Sequence, residues 1–179
     1  MNKDVKLDIG CGLRKRKGYI GIDVVKVEEV DIIAMAEYLP FKDNSVDAIY
    51  TRHTLEHVED FEKAIKEMWR VCKPNAVIEI IVPFWAHHCA HHPLHRWFFN
   101  RYSFDDYSIQ KSDRTFIADL EVKFLIEEIK YRFQIKRFPF SIICKLIEKL
   151  SNKYYNTYES MFANIFPAYE IYFRLRVIK

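Results

Sequence analysis

The apolar residues in the first half of the chain fall into short runs that predict strands. The runs are rich in β-branched residues and are bounded by polar or turn-forming positions. They lie at 5–9, 19–24, 30–34, 46–50 and 76–82. Runs of this length and composition are typical of strands in a parallel sheet, so we expect these strands to be buried on both faces.

Helical periodicity separates the fourth and fifth runs. Apolar residues recur at helical spacing from Phe61 to Cys72, Asp60 is a suitable N-cap, and Pro74 with Asn75 should end the helix. The sequence therefore predicts one well-defined helix between two buried strands.

The C-terminal half follows a different pattern. Residues 171–177 alternate between apolar and polar, which predicts an antiparallel strand with one wetter face, and 122–133 is its expected partner. Amphipathic helices are predicted at 142–150 and 155–166. Together the patterns predict an α/β fold with a mostly parallel seven-stranded sheet and an antiparallel C-terminal strand. We expect a single domain spanning 1–179, with 136–167 as a helical insertion before the last strand.

Two of the predicted connections are too short for ordinary crossovers. A parallel crossover needs about a dozen residues or more, and neither 12–19 nor 24–30 provides them. One face of the sheet should therefore have reduced helices. Because an apolar sheet face must be covered, we expect the aromatic segment 138–166 or a second copy of the chain, in a homodimer, to cover it.

Composition narrows the class of protein. The chain has 179 residues, half of them apolar, which suits one globular domain. A net charge of +3 permits a nucleic-acid partner without supporting one. The four cysteines are widely spaced, no secretory leader is recognisable, and no apolar run approaches the roughly 20 residues that span a bilayer. These features predict a reduced, cytoplasmic protein without a membrane partner.

The glycines point to a ligand site near the N-terminus. Three of the four, Gly10, Gly12 and Gly18, fall within nine residues, and the first strand leads directly into Gly10-Cys11-Gly12. Such a turn lets the backbone approach a ligand closely, although glycine turns are common. The second strand ends at Asp23, whose carboxylate could accept both hydroxyls of a ribose.

Further motifs follow in a fixed order along residues 5 to about 83. They are Asp8 to Gly12, Gly21 to Asp23, Leu39-Pro40-Phe41, Leu55-Glu56-His57 and Arg70 to Pro74. In this order they resemble the Rossmann-like class I S-adenosylmethionine-dependent methyltransferases, specifically a methyltransferase type 11-like subgroup. The resemblance implies transfer of a methyl group from S-adenosylmethionine to an O or N acceptor, with a small molecule favoured. The alternatives are a non-catalytic binding or scaffold protein and an RNA or protein methyltransferase.

The resemblance also implies roles for individual residues. The cofactor-binding set is Asp8, Gly10, Cys11, Gly12, Asp23, Val24, Ala36, Glu37 and His53. Asp8 would orient the loop or the cofactor's amino group, and the backbone at Ala36 and Glu37 would meet the adenine. The sequence departs from the family pattern twice, with Arg14 in place of the third glycine and Met35 in place of an acid. These departures keep the scaffold alternative open.

Two segments carry candidate chemistry outside the cofactor motifs. The basic run 14–17 is either a solvated loop or a means of attracting an anionic substrate. The segment 83–99 holds five of the seven histidines. It is a structural loop, a source of substrate-orienting or general-base residues, or a metal site built from His87, His91, His92 or Cys89. The candidate bases are His53, His88 and His95.

Overall fold

The computed structural model describes residues 4–110, 121–134 and 140–179, with the side chains of 140–142 left aside. Seven strands form one sheet, and their bounds are β1 (Lys6–Ile9), β2 (Ile20–Asp23), β3 (Ile32–Ile33), β4 (Val46–Arg52), β5 (Cys72–Pro83), β6 (Lys123–Arg132) and β7 (Glu170–Ile178). The helices are α1 (Phe61–Val71), α2 (Phe140–Lys153) and the short α3 (Tyr155–Thr157). Every predicted strand is present, with ends that shift by a few residues.

The sheet has the order β3-β2-β1-β4-β5-β7-β6. The first five strands in this order are parallel, whereas β7 runs antiparallel to both β5 and β6. This arrangement confirms the predicted Rossmann-like α/β fold. The order reverses at β1, so the carboxyl ends of β1 and its neighbours form the crevice where open α/β sheets bind ligands.

The predicted helix α1 begins where its sequence indicates but ends at Val71, so that Pro74 and Asn75 lie in β5 and do not end the helix. Asp60 caps it by accepting a hydrogen bond from the Lys63 amide at 3.0 Å. Ala64, Ile65 and Met68 on its apolar side are completely buried. β5 begins directly after the helix at Cys72, four residues earlier than predicted.

One face of the sheet, here called the apolar face, packs against α1. Leu7, Ile49, Ile78 and Leu175 form a continuous row across it, and all four are essentially buried. The core then extends through ring contacts that join Phe61 of α1 to Phe104, and Phe104 to Phe173 of β7. The apolar face is therefore the hydrophobic core of the protein.

The opposite face, here called the charged face, carries a polar row. Asp8, Tyr50, Glu79 and Arg174 pair across β1, β4, β5 and β7. Because side chains alternate along a strand, these residues lie opposite the apolar row. The prediction that the strands are buried on both faces is therefore only partly correct, since Tyr50, Glu79 and Arg174 on the charged face are half-buried.

The C-terminal helical segment does not cover the charged face. α2 runs along the outer edge of β6, where the Asn152 side chain accepts from the Tyr131 amide at 2.8 Å and donates to its carbonyl at 2.9 Å. Beyond α2, Tyr158 packs on Phe84 and Tyr131, which belong to the apolar side. The expectation that 138–166 covers the helix-poor face is wrong for the described residues, 140–166, and residues 138 and 139 lie outside them.

The second predicted C-terminal helix is only partly regular. The predicted span 155–166 contains α3 and then a single wide turn at Tyr158–Phe162. Tyr158 explains the interruption, because its buried hydroxyl donates to the Phe166 carbonyl at 3.0 Å and accepts from the Ala168 amide at 2.8 Å. In the described part of the chain, no helix is both long enough and apolar enough to cross a bilayer.

Candidate functional site

The glycine turn after β1 is shaped by two residues in the left-handed region. Gly10 has φ 71° and Gly12 has φ 49°. A Cβ atom on Gly10 would lie 1.9 Å from Thr54 Oγ1, so the turn can pack against the end of β4 only if this position is glycine. A Cβ atom on Gly12 would meet nothing within 4 Å, so the space beside it is open.

Asp23 closes the turn from the neighbouring strand. One carboxylate oxygen accepts from the Gly12 amide at 3.0 Å, and the other accepts from the Val25 amide at 3.0 Å. A carboxylate oxygen can accept more than one hydrogen bond, so acceptor capacity remains for a ligand. Asp23 is therefore held rigidly at the tip of β2.

Asp8 and Cys11 serve the turn from its other side. The Asp8 carboxylate is buried and accepts from the Arg16 amide at 2.6 Å, which fixes the loop that follows the glycines. Burial raises the pKa of Asp8. Burial and the nearby Asp8 carboxylate also raise the pKa of the Cys11 thiol to about 11, so the thiol stays protonated at neutral pH. The hydrogen bond to Arg16 fits the predicted role of Asp8 in orienting the loop, and its contact with the cofactor's amino group stays a prediction.

A cavity of about 790 Å³ opens at this edge of the sheet. Its lining includes six of the nine residues in the predicted cofactor set, namely Gly10, Asp23, Val24, Ala36, Glu37 and His53. It is within the usual size range for small-molecule sites. A larger cavity of about 1070 Å³ lies between β6 and α3 and is lined by residues such as Arg101 and Glu127, far from the glycine motif. The smaller cavity is the candidate site because the motif residues line it.

The far end of the cavity is formed by residues 33–37. Ile33, Met35 and Ala36 contribute apolar wall, and Met35 is partly exposed there. The Glu37 side chain is buried and accepts from the Glu59 amide at 2.8 Å, beside the start of α1. This carboxylate therefore supports the wall of the cavity that Ala36 and Glu37 line, and the contact of their backbone with adenine stays a prediction.

His53 lies just past the end of β4 and also lines the cavity. Its backbone is left-handed, with φ 53°, which is uncommon for a histidine. Its Nε2 lies 2.8 Å from Glu170 Oε1, and its Nδ1 lies 3.3 Å from Glu56 Oε1. Burial alone would lower the pKa of His53, but the hydrogen bonds to these two carboxylates raise it to about 9. At neutral pH His53 is therefore an imidazolium held between two acids.

The basic run 14–17 turns away from the cavity at its two central residues. Lys15 pairs with Asp31 at 3.1 Å. Arg16 crosses to the charged face, where it pairs with Glu79 and stacks over Tyr50 at 4.5 Å. Two of the four positive charges are thus used within the fold, which favours a structural role for this run.

The histidine-rich segment folds back toward the start of α1. The Arg96 amide donates to the Glu56 carbonyl at 2.8 Å, and the Trp97 indole donates to the Val58 carbonyl at 2.8 Å. These contacts place His95 against His57, with ring centroids 4.6 Å apart. His57 lines the cavity, so one end of the segment reaches the candidate site.

The other histidines of the segment lie elsewhere. His88 is exposed, and its Nε2 is 3.4 Å from Cys89 Sγ. Among the described residues, potential metal ligands converge in two groups, His87-His88-Cys89 and Glu56-His57-His95. His91 and His92 belong to neither group.

Comparison with known proteins adds to this geometry. Residues 7–80 match the family model described as a methyltransferase domain. Norajmaline N-methyltransferase of Rauvolfia serpentina is 49% identical over 43 residues, which are 24% of this chain and 15% of that protein. The ubiquinone/menaquinone biosynthesis C-methyltransferase of Haemophilus ducreyi is 34% identical over 76 residues, which are 42% of this chain and 27% of that protein. The matched stretches therefore span only 15% and 27% of the lengths of these relatives.

Solved structures match the chain over almost its whole length. Phosphoethanolamine N-methyltransferase 2 of Haemonchus contortus, in complex with S-adenosyl-L-methionine, matches 99% of this chain and 49% of its own, with a TM-score of 0.57 and 16% identity. A protein in complex with the Haloferax volcanii Trm112 methyltransferase activator matches 99% of this chain and 84% of its own, with a TM-score of 0.60 and 14% identity. The chain has the class I methyltransferase fold. Its signature motifs lie within residues 7–80.

Within this methyltransferase fold, several residues at the site were not anticipated by sequence reasoning. Thr54 packs on the glycine turn, and Glu170 from the distant strand β7 pairs with His53. Glu56 and His57 were noticed only as part of a motif, without a role. The adjacency of an acid and a histidine was visible, but their meeting with His95 depends on how the later segment folds back.

Proposed function

We propose that this chain is an S-adenosylmethionine-dependent methyltransferase acting, as a single domain over 1–179, on an O or N acceptor. One observation carries the proposal. One cavity, at the edge of the sheet where the strand order reverses, is lined by Gly10 of the glycine turn, Asp23, residues 34–37 and His53. Asp8, Cys11 and Gly12 lie outside the cavity lining, and the Asp8 carboxylate holds the loop after the turn through the Arg16 amide.

The residues that are present fit the cofactor. When bound, S-adenosylmethionine supplies an electrophilic methyl carbon on a sulfonium centre. The Asp23 carboxylate has acceptor capacity left for ribose hydroxyls, and Gly10 lines the cavity beside it without a side chain. The apolar wall at Met35 and Ala36 suits a flat heterocycle. In this proposal the chain binds S-adenosylmethionine and aligns it with the acceptor. The acceptor is held on the His53 side of the cavity.

An O or N acceptor must lose a proton as its new bond to carbon forms. Of the three candidate bases, His53 lines the cavity, but both its ring nitrogens already face carboxylates, so we assign it a positioning role. His88 contacts Cys89 and lies outside the cavity lining. His95 also lies outside the cavity lining, but it is half-buried against His57, which lines the cavity. Its Nδ1 faces the Ala90 carbonyl at 3.0 Å, which leaves Nε2 available. His95 is therefore the strongest of the three.

The acceptor is proposed to be a small molecule. The curated relatives are named as N- and C-methyltransferases, so they do not favour one acceptor atom. A cytoplasmic location and a homodimer stay predictions. The rival function is a binding or scaffold protein with this fold, which the substitutions at Arg14 and Met35 favour.

Calorimetric titration with S-adenosylmethionine distinguishes the methyltransferase from the scaffold protein. We expect saturable binding to the wild type and a loss of at least about 10-fold in affinity for Asp23→Asn, which removes a charged hydrogen-bond acceptor. Asp4→Asn, at an exposed site outside the cavity lining, is the matched control and should bind like the wild type. Absence of binding to a folded wild-type protein would favour the scaffold.

Transfer of a labelled methyl group identifies the acceptor class. We expect label to pass from S-adenosylmethionine into the small-molecule fraction of a cell extract. His95→Gln should reduce this transfer by about 100-fold with cofactor binding unchanged, whereas His88→Gln should have little effect. Label found only in RNA or in protein would replace the small-molecule assignment.

A further inference from the structure

Glu56 is a buried acid with an unused oxygen. Its side chain is 1% exposed, and Oε1 faces His53 Nδ1. Oε2 is buried without a hydrogen-bond partner, a state shared among the described residues only with Thr51 Oγ1. Leaving such an oxygen unpaired is costly, so a buried carboxylate normally faces a donor or a cation.

Two histidines lie close to the Glu56 carboxylate, and one ring nitrogen of each faces a backbone carbonyl. His57 Nδ1 lies 3.3 Å from the Leu94 carbonyl, and His95 Nδ1 lies 3.0 Å from the Ala90 carbonyl. A carbonyl can only accept, so each Nδ1 carries a hydrogen, and in the neutral imidazole Nε2 is then the nitrogen with the lone pair. Histidines that bind metals usually have this arrangement, with the second nitrogen donating to a backbone carbonyl or carboxylate.

The three side chains converge on one point. One ligand atom from each of Glu56, His57 and His95 lies within 4.8 Å of the other two. We propose that these residues bind a divalent transition-metal ion, with zinc favoured because two imidazoles and one carboxylate are a common zinc ligand set that leaves one position open. This site goes beyond the proposed methyl transfer and does not depend on it.

The position of the ion follows from His57. This residue also lines the 790 Å³ cavity, so a bound ion would lie at the cavity rim. An open coordination position there could bind water or an oxygen of the acceptor, and a metal-bound hydroxyl loses its proton more easily than a free one. If the ion is present, it uses the Nε2 of His95, and the loss of transfer expected for His95→Gln would then reflect loss of the ion.

The second group of potential ligands is less suitable. His87 Nδ1 already accepts from the Cys89 amide at 3.2 Å, and His88 Nε2 contacts the Cys89 thiol. His87 and Cys89 are half-buried and His88 is exposed, and none of the three has a buried atom that lacks a partner. The segment therefore offers a stronger site at its His95 end than at its His88 end.

The test is zinc binding to the full chain prepared without a histidine tag. The protein is stripped with a chelator, dialysed against zinc and analysed by elemental analysis, and its affinity is measured by competition with a chromophoric chelator. We expect one equivalent per chain in the wild type. His57→Ala, His95→Ala and Glu56→Gln should each lower the affinity by about 100-fold or more. His91→Ala, from the same segment but outside the ligand set, should bind like the wild type.

Cobalt substitution separates loss of the site from loss of the fold. Bound cobalt should give a visible absorption band in the wild type and in His91→Ala, and the band should disappear in the three ligand variants while their circular dichroism stays native. A folded wild type without stoichiometric zinc would overturn the proposal. So would unchanged affinity in the ligand variants, or loss of zinc in Cys89→Ala with retention in His95→Ala. Because no S-adenosylmethionine is present, these outcomes are independent of the cofactor titration.

Discussion

The two faces of the sheet are covered by different kinds of structure. The apolar face is buried under α1 and under aromatic rings contributed by residues 84, 99, 104 and 158. On the charged face, Glu79 pairs with Arg16 and Arg174, and Glu127 pairs with Arg174 and Arg176. Those three arginine side chains remain 42%, 37% and 34% exposed. In the described part of the chain, side chains cover this face instead of helices.

The difference explains how the short connections are tolerated. A crossover helix is needed where a sheet face is apolar, because that face must be removed from water. Where the strands carry Tyr50, Glu79 and Arg174 on one side, long side chains can pair above the sheet and keep their charged ends partly in solvent. The loop 12–19 can then be short, because it only has to place Arg16 over this face. The Asp8 carboxylate holds the loop by accepting a hydrogen bond from the Arg16 amide.

The largest expected change in the free energy of unfolding comes from substituting two neighbouring residues of β7 whose side chains point to opposite faces. Phe173 is completely buried against Phe104 on the apolar face, whereas Arg174 lies on the charged face. Phe173→Ala should lower the free energy of unfolding by about 3–5 kcal/mol because it leaves a cavity. Arg174→Ala should lower it by about 1 kcal/mol. Urea denaturation measures both, and similar losses for the two variants would contradict the comparison.

Glu79 should make the stability of the fold depend on pH. Burial alone would raise the pKa of Glu79, but its hydrogen bond and charge contact with Arg16 lower it overall. The ionised carboxylate therefore stabilises the fold above the ordinary glutamate pKa, and this contribution is lost as the pH falls through the lowered value. Glu79→Gln should cost about 1 kcal/mol at neutral pH.

The same variant should become as stable as the wild type in acid. Unfolding of both proteins is measured from about pH 7 to about pH 3, and we expect the difference to vanish at the acid end. Glu28→Gln, at an exposed glutamate, is the control and should show no such convergence. A gap that is constant with pH would show that Glu79 contributes by packing instead of by charge.

The smallest expected effect concerns the shape of the Arg16 side chain. Its guanidinium stacks over Tyr50 at 4.5 Å and over Tyr19 at 5.1 Å. Arg16→Lys keeps the positive charge but loses the planar stack, so the free energy of unfolding should fall by about 0.5 kcal/mol. Arg14→Lys is the control for the same exchange in the same loop. Equal stability of the two variants would limit the role of Arg16 to its charge.

Much of the fold and part of the site could be predicted because their signals are local. The strands and α1 follow from periodicity, and Asp60 at the start of α1 is a cap that a few adjacent residues specify. Gly10 and Asp23 are recognisable because each directly follows or ends an apolar run. Parallel strands bring their carboxyl ends to one edge, so these two residues were expected at a common site before any contact was known.

The charged face is not predictable from the sequence because it depends on single polar residues inside apolar runs. Tyr50 and Glu79 both lie in runs that resemble strands buried on both sides. Alternation in such short runs is weak, so the charged face could be recognised only when the two residues were seen side by side in the sheet. The position of α2 was missed for a related reason, since Asn152 pairs with the exposed edge of β6 through a side chain that has no sequence signature.

By itself, the sequence determined the strands, the glycine turn and the acid that faces it, because each depends on neighbours along the chain. Only the tertiary structure decided which residues meet across longer separations. Glu170 reaches His53, and His95 reaches His57 and Glu56, through the order of β4, β5 and β7 and the return of the histidine-rich segment. These contacts depend on how whole strands and segments pack, and the local periodicity of the sequence does not predict them.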